Sequence, residues 1–310
     1  MIKQKGHSVK YLEDFRSGRI SKGLDTGVPV LDQHLRFKIN QLNMVLGFDN
    51  VGKTAWMMWY FLCLSVKHNI KWCIWSGENK SEQLIRDLIQ MYAGQRLKDI
   101  SIDKMYQYAA QIEDWFDFVS NENTYTSKQL LEIFRESDAT GCLIDPYTGL
   151  DRGVGHKDNY EFLNTTRQFV NKYSKTIYFN THAVTEAARR LHPKEHDLAG
   201  HVMPPLKSHA EGGQPFANRV DDIIILHRYI SHPEKRYHTL VETTKIKDKE
   251  TGGEPTLFEF PITHDFNNGL GFTVGNHNPL KRVYTQATIE TKPLQPNTDF
   301  EKEIETPKPK

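Results

Sequence analysis

Residues 47–54 read Gly-Phe-Asp-Asn-Val-Gly-Lys-Thr, a complete G-x-x-x-x-G-K-T run, and no other stretch restricts the fold of this chain as tightly. Such a loop works only between a strand and a helix. Residues 41–46 before it (Gln-Leu-Asn-Met-Val-Leu) suit a buried strand, and the apolar residues 55–66 after it suit a helix packed on a sheet. Gly47 and Gly52 let the backbone turn its N–H groups towards the β- and γ-phosphates of a nucleoside triphosphate, at a helix N-terminus whose dipole favours anions. Phe48, Asp49, Asn50 and Val51 complete the cradle. Lys53 would neutralise the phosphates, and the Thr54 hydroxyl would hold magnesium. A chance Gly-rich turn would not bring eight positions and both flanking elements into agreement.

The rest of the 310 residues bounds the class. A hydrophobic content of 38% is enough for a core, and one α/β domain with tails is the expected organisation. Lys and Arg number 40 against 39 Asp and Glu, so any basic surface must be local. Cys63, Cys73 and Cys142 sit singly in apolar stretches, which suits buried thiols of an intracellular protein rather than a disulfide framework. The first residues have no apolar core of signal-peptide length, and no run approaches a membrane span. The expectation is a soluble, cytoplasmic protein with no membrane partner.

Further along, strand-like segments at 141–144, 176–180 and 222–226 alternate with a helix over 160–172, which predicts a mostly parallel sheet with helices on both faces. Residues 238–247 and 254–260 alternate polar and apolar side chains around Gly252-Gly253 and predict antiparallel strands at one edge. Val9, Leu12 and Phe15 are spaced as one stripe of a short helix in an N-terminal arm, 1–22. The core is expected over 23–283. Residues 284–310, rich in Pro, Glu, Lys and Thr, read as a disordered tail.

A phosphate loop alone names no reaction, so the neighbouring strand ends carry the argument. Residues 70–76 form the next expected strand and deliver Glu78 at its C-terminal end, where a carboxylate can orient and deprotonate the water that attacks a γ-phosphate. Cys142-Leu143-Ile144-Asp145 is an apolar strand ending in an acid, the form of a magnesium-assisting Walker B carboxylate. The strand at 176–180 ends in Thr181-His182, where a polar side chain can touch the γ-phosphate and report its loss.

Taken in order, Leu24-Asp25-Thr26-Gly27 with Leu31-Asp32, the phosphate loop, Ser76-Gly77-Glu78, Leu143-Ile144-Asp145, Thr181-His182, Gly212-Gly213, residues 221–228 and Lys245-Ile246-Lys247 to Thr251-Gly252 resemble the RecA-fold core of ring-shaped replicative helicases, the DnaB type and the bacteriophage primase-helicase and Twinkle branch. The resemblance spans roughly 24–275. It implies an α/β RecA-like P-loop NTPase that uses ATP and Mg2+, with residues 47–54 on the phosphates and metal, Glu78 as catalytic base, Asp145 on the metal and His182 as phosphate sensor. Histidine at that last position looks more like the primase-helicase and Twinkle branch than DnaB. Arg228 matches an arginine that lies on the nucleotide base. These helicases usually carry an arginine finger two residues after a lysine, whereas this chain has Lys245 and Lys247, a pair similar to the trans-acting lysines of RecA-type recombinases. Either pattern implies an ATP site completed by a neighbouring protomer, hence a homo-oligomer, a hexameric ring or a filament. Only a short arm precedes the core, the economical form found in phages and mobile elements.

In such motors the loops after the Walker B and sensor strands face DNA. Here these are residues 148–159, with Arg152 and Lys157, and residues 183–213, with Arg189, Arg190 and Lys207, which would pair with phosphates of single-stranded DNA with little base preference. Long charged loops are more often merely solvated. His192, His196, His201 and His209 lack the spacing and the cysteine partners of a zinc site. The leading expectation is a DNA-dependent ATPase of helicase type in a bacterial or phage-infected cell, working with replication or recombination proteins. Its rivals are a filament-forming recombinase or annealing ATPase, and an ATP-switched loader, against which Glu78 speaks.

Overall fold

The computed structural model describes residues 6, 8–18, 22–153, 155–257 and 259–281. Among them nine strands form one sheet: β1 (Leu42–Gly47), β2 (Trp72–Ser76), β3 (Phe116–Val119), β4 (Gly141–Asp145), β5 (Thr176–His182), β6 (Ile223–His227), β7 (His238–Lys245), β8 (Ile262–Phe266) and β9 (Phe272–Thr273). Their order across the sheet is β3-β2-β4-β5-β1-β6-β7-β8-β9. The six strands from β3 to β6 in that order run parallel, and β7, β8 and β9 are antiparallel. The expected α/β architecture with an antiparallel edge is therefore present.

Strand periodicity divides the core into two layers. Leu42, Met44 and Leu46 of β1, with Ile223 and Ile225 of β6, face helices α6 (Ser127–Glu136), α7 (His156–Tyr173) and α8 (Gln214–Arg219). Val45, Ile224, Leu226 and Val241 face α3 (Lys53–His68), α4 (Ser81–Ala93) and α5 (Ile102–Trp115). Helix α3 is apolar nearly all round because it is enclosed. Its Phe61 stacks on Trp72 of β2 with ring centroids 3.7 Å apart, and its C-terminus closes on Asn69 in the left-handed region, whose side chain accepts a hydrogen bond from Trp115 Nε1 at 2.7 Å. Thr126 and Gln129 start α6 with a reciprocal capping box. The three cysteines are buried, and desolvation raises all three thiols, that of Cys73 to about 12.

Two short helices precede β1. Helix α1 (Val9–Arg16) forms as its spacing predicts, but Val9, Leu12 and Phe15 all stay exposed. In α2 (Pro29–Asp32), buried Asp32 accepts hydrogen bonds from the backbone N–H of Thr26 at 2.6 Å and its hydroxyl at 2.8 Å, so the Leu24–Gly27 and Leu31–Asp32 motifs meet as a structural clasp.

The antiparallel edge departs from expectation. Residues 254–260 form no strand; the partner of β7 is β8, which begins at Ile262. After the single-turn helix α9 (Lys249–Gly252), Gly253 lies at φ 99, pressed so close to the Gln33 carbonyl that a Cβ would stand 2.7 Å from it. Pro255 and Pro261 lack the N–H groups a ladder needs. Only Thr256 pairs with Thr243, and Leu257 and Phe260 are each 72% exposed. The expected tail, 284–310, lies outside the described residues.

Candidate nucleotide site

The loop owes its shape to the ends of β1 and α3. At Gly47 an added Cβ would lie 2.6 Å from the Leu226 carbonyl, so glycine is what lets β1 run this close to β6 at its exit. Gly52 caps α3 at φ 86, left-handed, with the Arg228 Nη2 3.1 Å from where its Cβ would be. Lys53 curls back over the loop and donates to the carbonyls of Gly47 at 3.1 Å and Phe48 at 2.9 Å. Burial lowers the pKa of its ammonium, and Asp145, Asp49 and Glu78 oppose that shift.

Asp145 ends β4 in full burial. Its Oδ2 accepts a 2.7 Å hydrogen bond from the Thr54 hydroxyl, and its Oδ1 accepts one of 2.6 Å from Asn180 Nδ2. Desolvation raises its pKa, while the bonds from Thr54 and Asn180 and the charge of Lys53 pull it down. A hydroxyl and a carboxylate meeting at one point, both hard oxygen donors, fit magnesium, which keeps waters and takes few protein ligands beside phosphate.

Glu78 follows β2 in a turn tied by Ser76, whose hydroxyl accepts from Asn79 N–H at 3.2 Å, and by Asn121 Nδ2, which donates to the carbonyls of Ser76 at 3.2 Å and Asn79 at 3.0 Å. Its side chain is 61% exposed, and its Oε1 is 3.9 Å from His182 Nε2. His182, at the end of β5, has Nδ1 2.6 Å from Asp49 Oδ1 and 3.3 Å from Lys53 Nζ. Lys53, Thr54, Glu78, Asp145 and His182 thus line one cleft of about 490 Å³. A second cleft, of about 900 Å³, shares Asp49, Asn50, Glu78 and His182 and extends past Phe48 and Val51 to Arg228 and Tyr229. Arg228 is held there by Thr239, which accepts from its Nε at 3.1 Å, and by the face of Phe266, 4.8 Å away. Burial lowers its pKa.

Lys245 and Lys247 stand elsewhere. Lys245 Nζ donates to the carbonyls of Ala217 at 2.9 Å and Asn218 at 3.1 Å, capping α8, and burial lowers its pKa. Lys247 Nζ is 2.9 Å from Asp221 Oδ1, and Asp221 Oδ2 also accepts from the Leu42 N–H at the start of β1. That is five strand residues, roughly 16 Å, from Gly47. Arg167 of α7 shares Asp221 with Lys247, and the charge of Lys207 bears on Lys245.

The basic loop residues do not form one patch. Arg152 lies over the Tyr147 ring at 4.2 Å, and Lys157 is in the first turn of α7, since the loop after β4 ends earlier than expected. The segment after β5 is a folded excursion, closed by bridges between Ala183 and Ala210 and between Leu191 and Val202. Arg189 reaches solvent beside Glu186, 2.9 Å away, whereas Arg190 donates to the Pro204 carbonyl at 3.3 Å and lines a separate cleft of about 850 Å³. His192 and His196 stack at 4.2 Å, and His192 Nε2 is 3.0 Å from the Tyr229 hydroxyl. Among the described residues no group of three His, Cys, Asp or Glu has metal-site geometry. No helix there is long and apolar enough to cross a membrane.

Sequence reasoning missed Asn180, Asn121 and Arg167. A buried amide just before Thr181-His182 was the available signal for the first; the other two are brought in by tertiary packing alone.

No family model matches the sequence, and no curated protein matches it. Solved structures do resemble the fold. The ATPase domain of a phage helicase superposes with a TM-score of 0.69 at 14% identity, covering 87% of this chain and 99% of that one. A DnaB-like replicative helicase, described with its interactions with primase, gives 0.67 at 14% identity over 88% of this chain and 67% of that one. With the phosphate loop, Asp145 and His182 gathered at the carboxyl ends of a parallel sheet, the chain has the RecA-type ATPase fold of DnaB-like replicative helicases.

Proposed function

We propose that the protein is a DNA-dependent ATPase, a helicase motor that moves along single-stranded DNA as a homo-oligomer in the cytoplasm of a bacterial or phage-infected cell. The observation that carries this reading is the convergence of Lys53, Thr54, Glu78, Asp145 and His182 on one cleft beside the phosphate loop. Residues 47–54 would hold the phosphates of ATP and Arg228 would border its base. Thr54 and Asp145 would hold Mg2+, which neutralises charge developing on the phosphates. Glu78, exposed at the cleft mouth, is free to position and deprotonate the attacking water. His182 would feel the γ-phosphate and pass its presence to the excursion that begins at Ala183.

Lys247 points away from its own chain's phosphate loop, and this supports a site completed by a neighbouring protomer. The same lysine pair favours a second reading, a filament-forming recombinase, because lysine supplies charge without the guanidinium fork. Forked DNA with a single-stranded tail separates the two: ATP-driven unwinding supports the helicase, whereas coating of the tail and pairing of homologous strands without unwinding supports the recombinase. ATP turnover indifferent to DNA would sink both.

Among the expected DNA contacts, Arg152, Lys157, Arg189, Arg190 and Lys207, the first test falls on Arg189 and Arg190. Replacing both with alanine is expected to weaken binding to unrelated oligonucleotides alike and to flatten the salt dependence by up to about two charges, with nucleotide affinity unchanged in the absence of DNA. Fluorescence anisotropy across a salt series measures it.

A further inference from the structure

A phosphate-binding loop gathers N–H groups and a lysine to receive an anion, so a carboxylate within it works against its own ligand. Asp49 is such a carboxylate. Its side chain is 80% exposed, so no packing demand fixes it, yet its Oδ1 stands 2.6 Å from His182 Nδ1. The same ring nitrogen is 3.3 Å from Lys53 Nζ. One nitrogen cannot serve both neighbours: with its proton it donates to Asp49, and only without it can it accept from Lys53. The contact at 2.6 Å is the shorter, and it sets Nδ1–H towards the carboxylate.

We propose that Asp49 is a built-in competitor for His182, its carboxylate holding the Nδ1 proton that the γ-phosphate of ATP must capture. This rests on the ATPase reading and adds to it a positioning residue with a defined effect. A triphosphate entering beside Lys53 brings negative charge against Asp49, which swings outward into solvent, and the freed Nδ1–H turns to the terminal phosphate. ADP has no such phosphate and leaves the pair closed. The exchange reaches further because His182 is also an anchor of the excursion after β5: its carbonyl accepts from Glu211 N–H at 3.0 Å, and Ala183 N–H donates to the Gly47 carbonyl at 3.3 Å. Asp49 thus sharpens the distinction between ATP and ADP at the place where the excursion is tied to the phosphate loop.

The test is a double-mutant cycle read by calorimetry with magnesium and either ADP or the β,γ-imido analogue of ATP. Asp49→Asn is expected to tighten the analogue relative to ADP by roughly two- to fivefold, the range of one exposed charge pair. In a His182→Gln background the same change is expected to leave that ratio unaltered. An unchanged ratio in the single variant overturns the inference. So does an equal gain in both backgrounds, which would mean simple repulsion between Asp49 and the nucleotide. A wild-type protein that binds neither ligand refutes the ATPase reading itself, a result distinct from either.

Discussion

Asp145 and Glu78 are both carboxylates at strand ends, and their surroundings assign them different work. Asp145 is fully buried and locked between Thr54 and Asn180, so it cannot swing to meet a water; Glu78 is exposed and free to do so. The prediction follows from that contrast. Glu78→Gln should bind ATP near the wild-type affinity and lose turnover by about 10²-fold or more, the scale of a removed general base. Lys53→Ala should lose most of the binding itself. Equilibrium binding and steady-state hydrolysis measured on both variants check this, and near-normal turnover in Glu78→Gln would remove it from the base role. These residues were legible because their chemistry demands a fixed spacing or a strand end. Asn180 was less so: an amide donating to a buried carboxylate has no spacing of its own, and only the neighbouring strand reveals which acid it meets. Asn121 lies 45 residues from the Ser76 carbonyl it supports, a link made by folding alone.

The central strands were readable because burial on both faces leaves short apolar runs with an unmistakable period, as in β1, β4 and β6. The edge was not, since residues 254–260 alternate like a strand while their prolines deny it a ladder, and the segment that does pair carries a histidine in its middle. That histidine, His264, has no exposure, and its ring is 5.8 Å from Trp56 and 5.4 Å from Trp59. Desolvation pushes its pKa from 6.5 to about 4. Above pH 6.5 neither folded nor unfolded chain protonates it. As the pH falls from 6.5 to 4 the unfolded chain takes the proton first, so stability is lost across that window, by roughly 2–3 kcal/mol for one such group. His227 has a similar shift, also to about 4. His264→Phe should therefore lose about half of the histidine-linked slope between pH 6.5 and 4, measured by urea unfolding at several pH values. An unaltered slope would show that His264 takes up no proton preferentially on unfolding.

At the scale of the molecule, the two ends of the parallel sheet carry complementary features. The carboxyl end holds the phosphate loop, and the amino end holds Lys245, Lys247 and Arg167 around Asp221. A lysine side chain reaches about 6 Å, well short of the roughly 16 Å that β1 puts between Asp221 and Gly47. If Lys247 acts on ATP at all, it acts on the ATP of another copy, and head-to-tail contacts of that kind build rings or helical filaments. Its 63% exposure and single ion pair leave it able to exchange Asp221 for a phosphate, whereas Lys245 is engaged with the end of α8. Lys247→Ala should thus depress turnover while keeping nucleotide affinity, and Lys245→Ala should chiefly destabilise α8. Mixing inactive Lys53→Ala with inactive Lys247→Ala protein then tests the arrangement. In mixed assemblies some interfaces pair an intact phosphate loop with an intact Lys247, and random mixing of equal amounts places about one quarter of interfaces in that state if interfaces act independently. ATPase activity should recover towards that fraction of wild type. Recovery that never appears, although the two proteins demonstrably co-assemble, would mean that each chain hydrolyses ATP without its neighbour and that Lys247 serves only to hold Asp221.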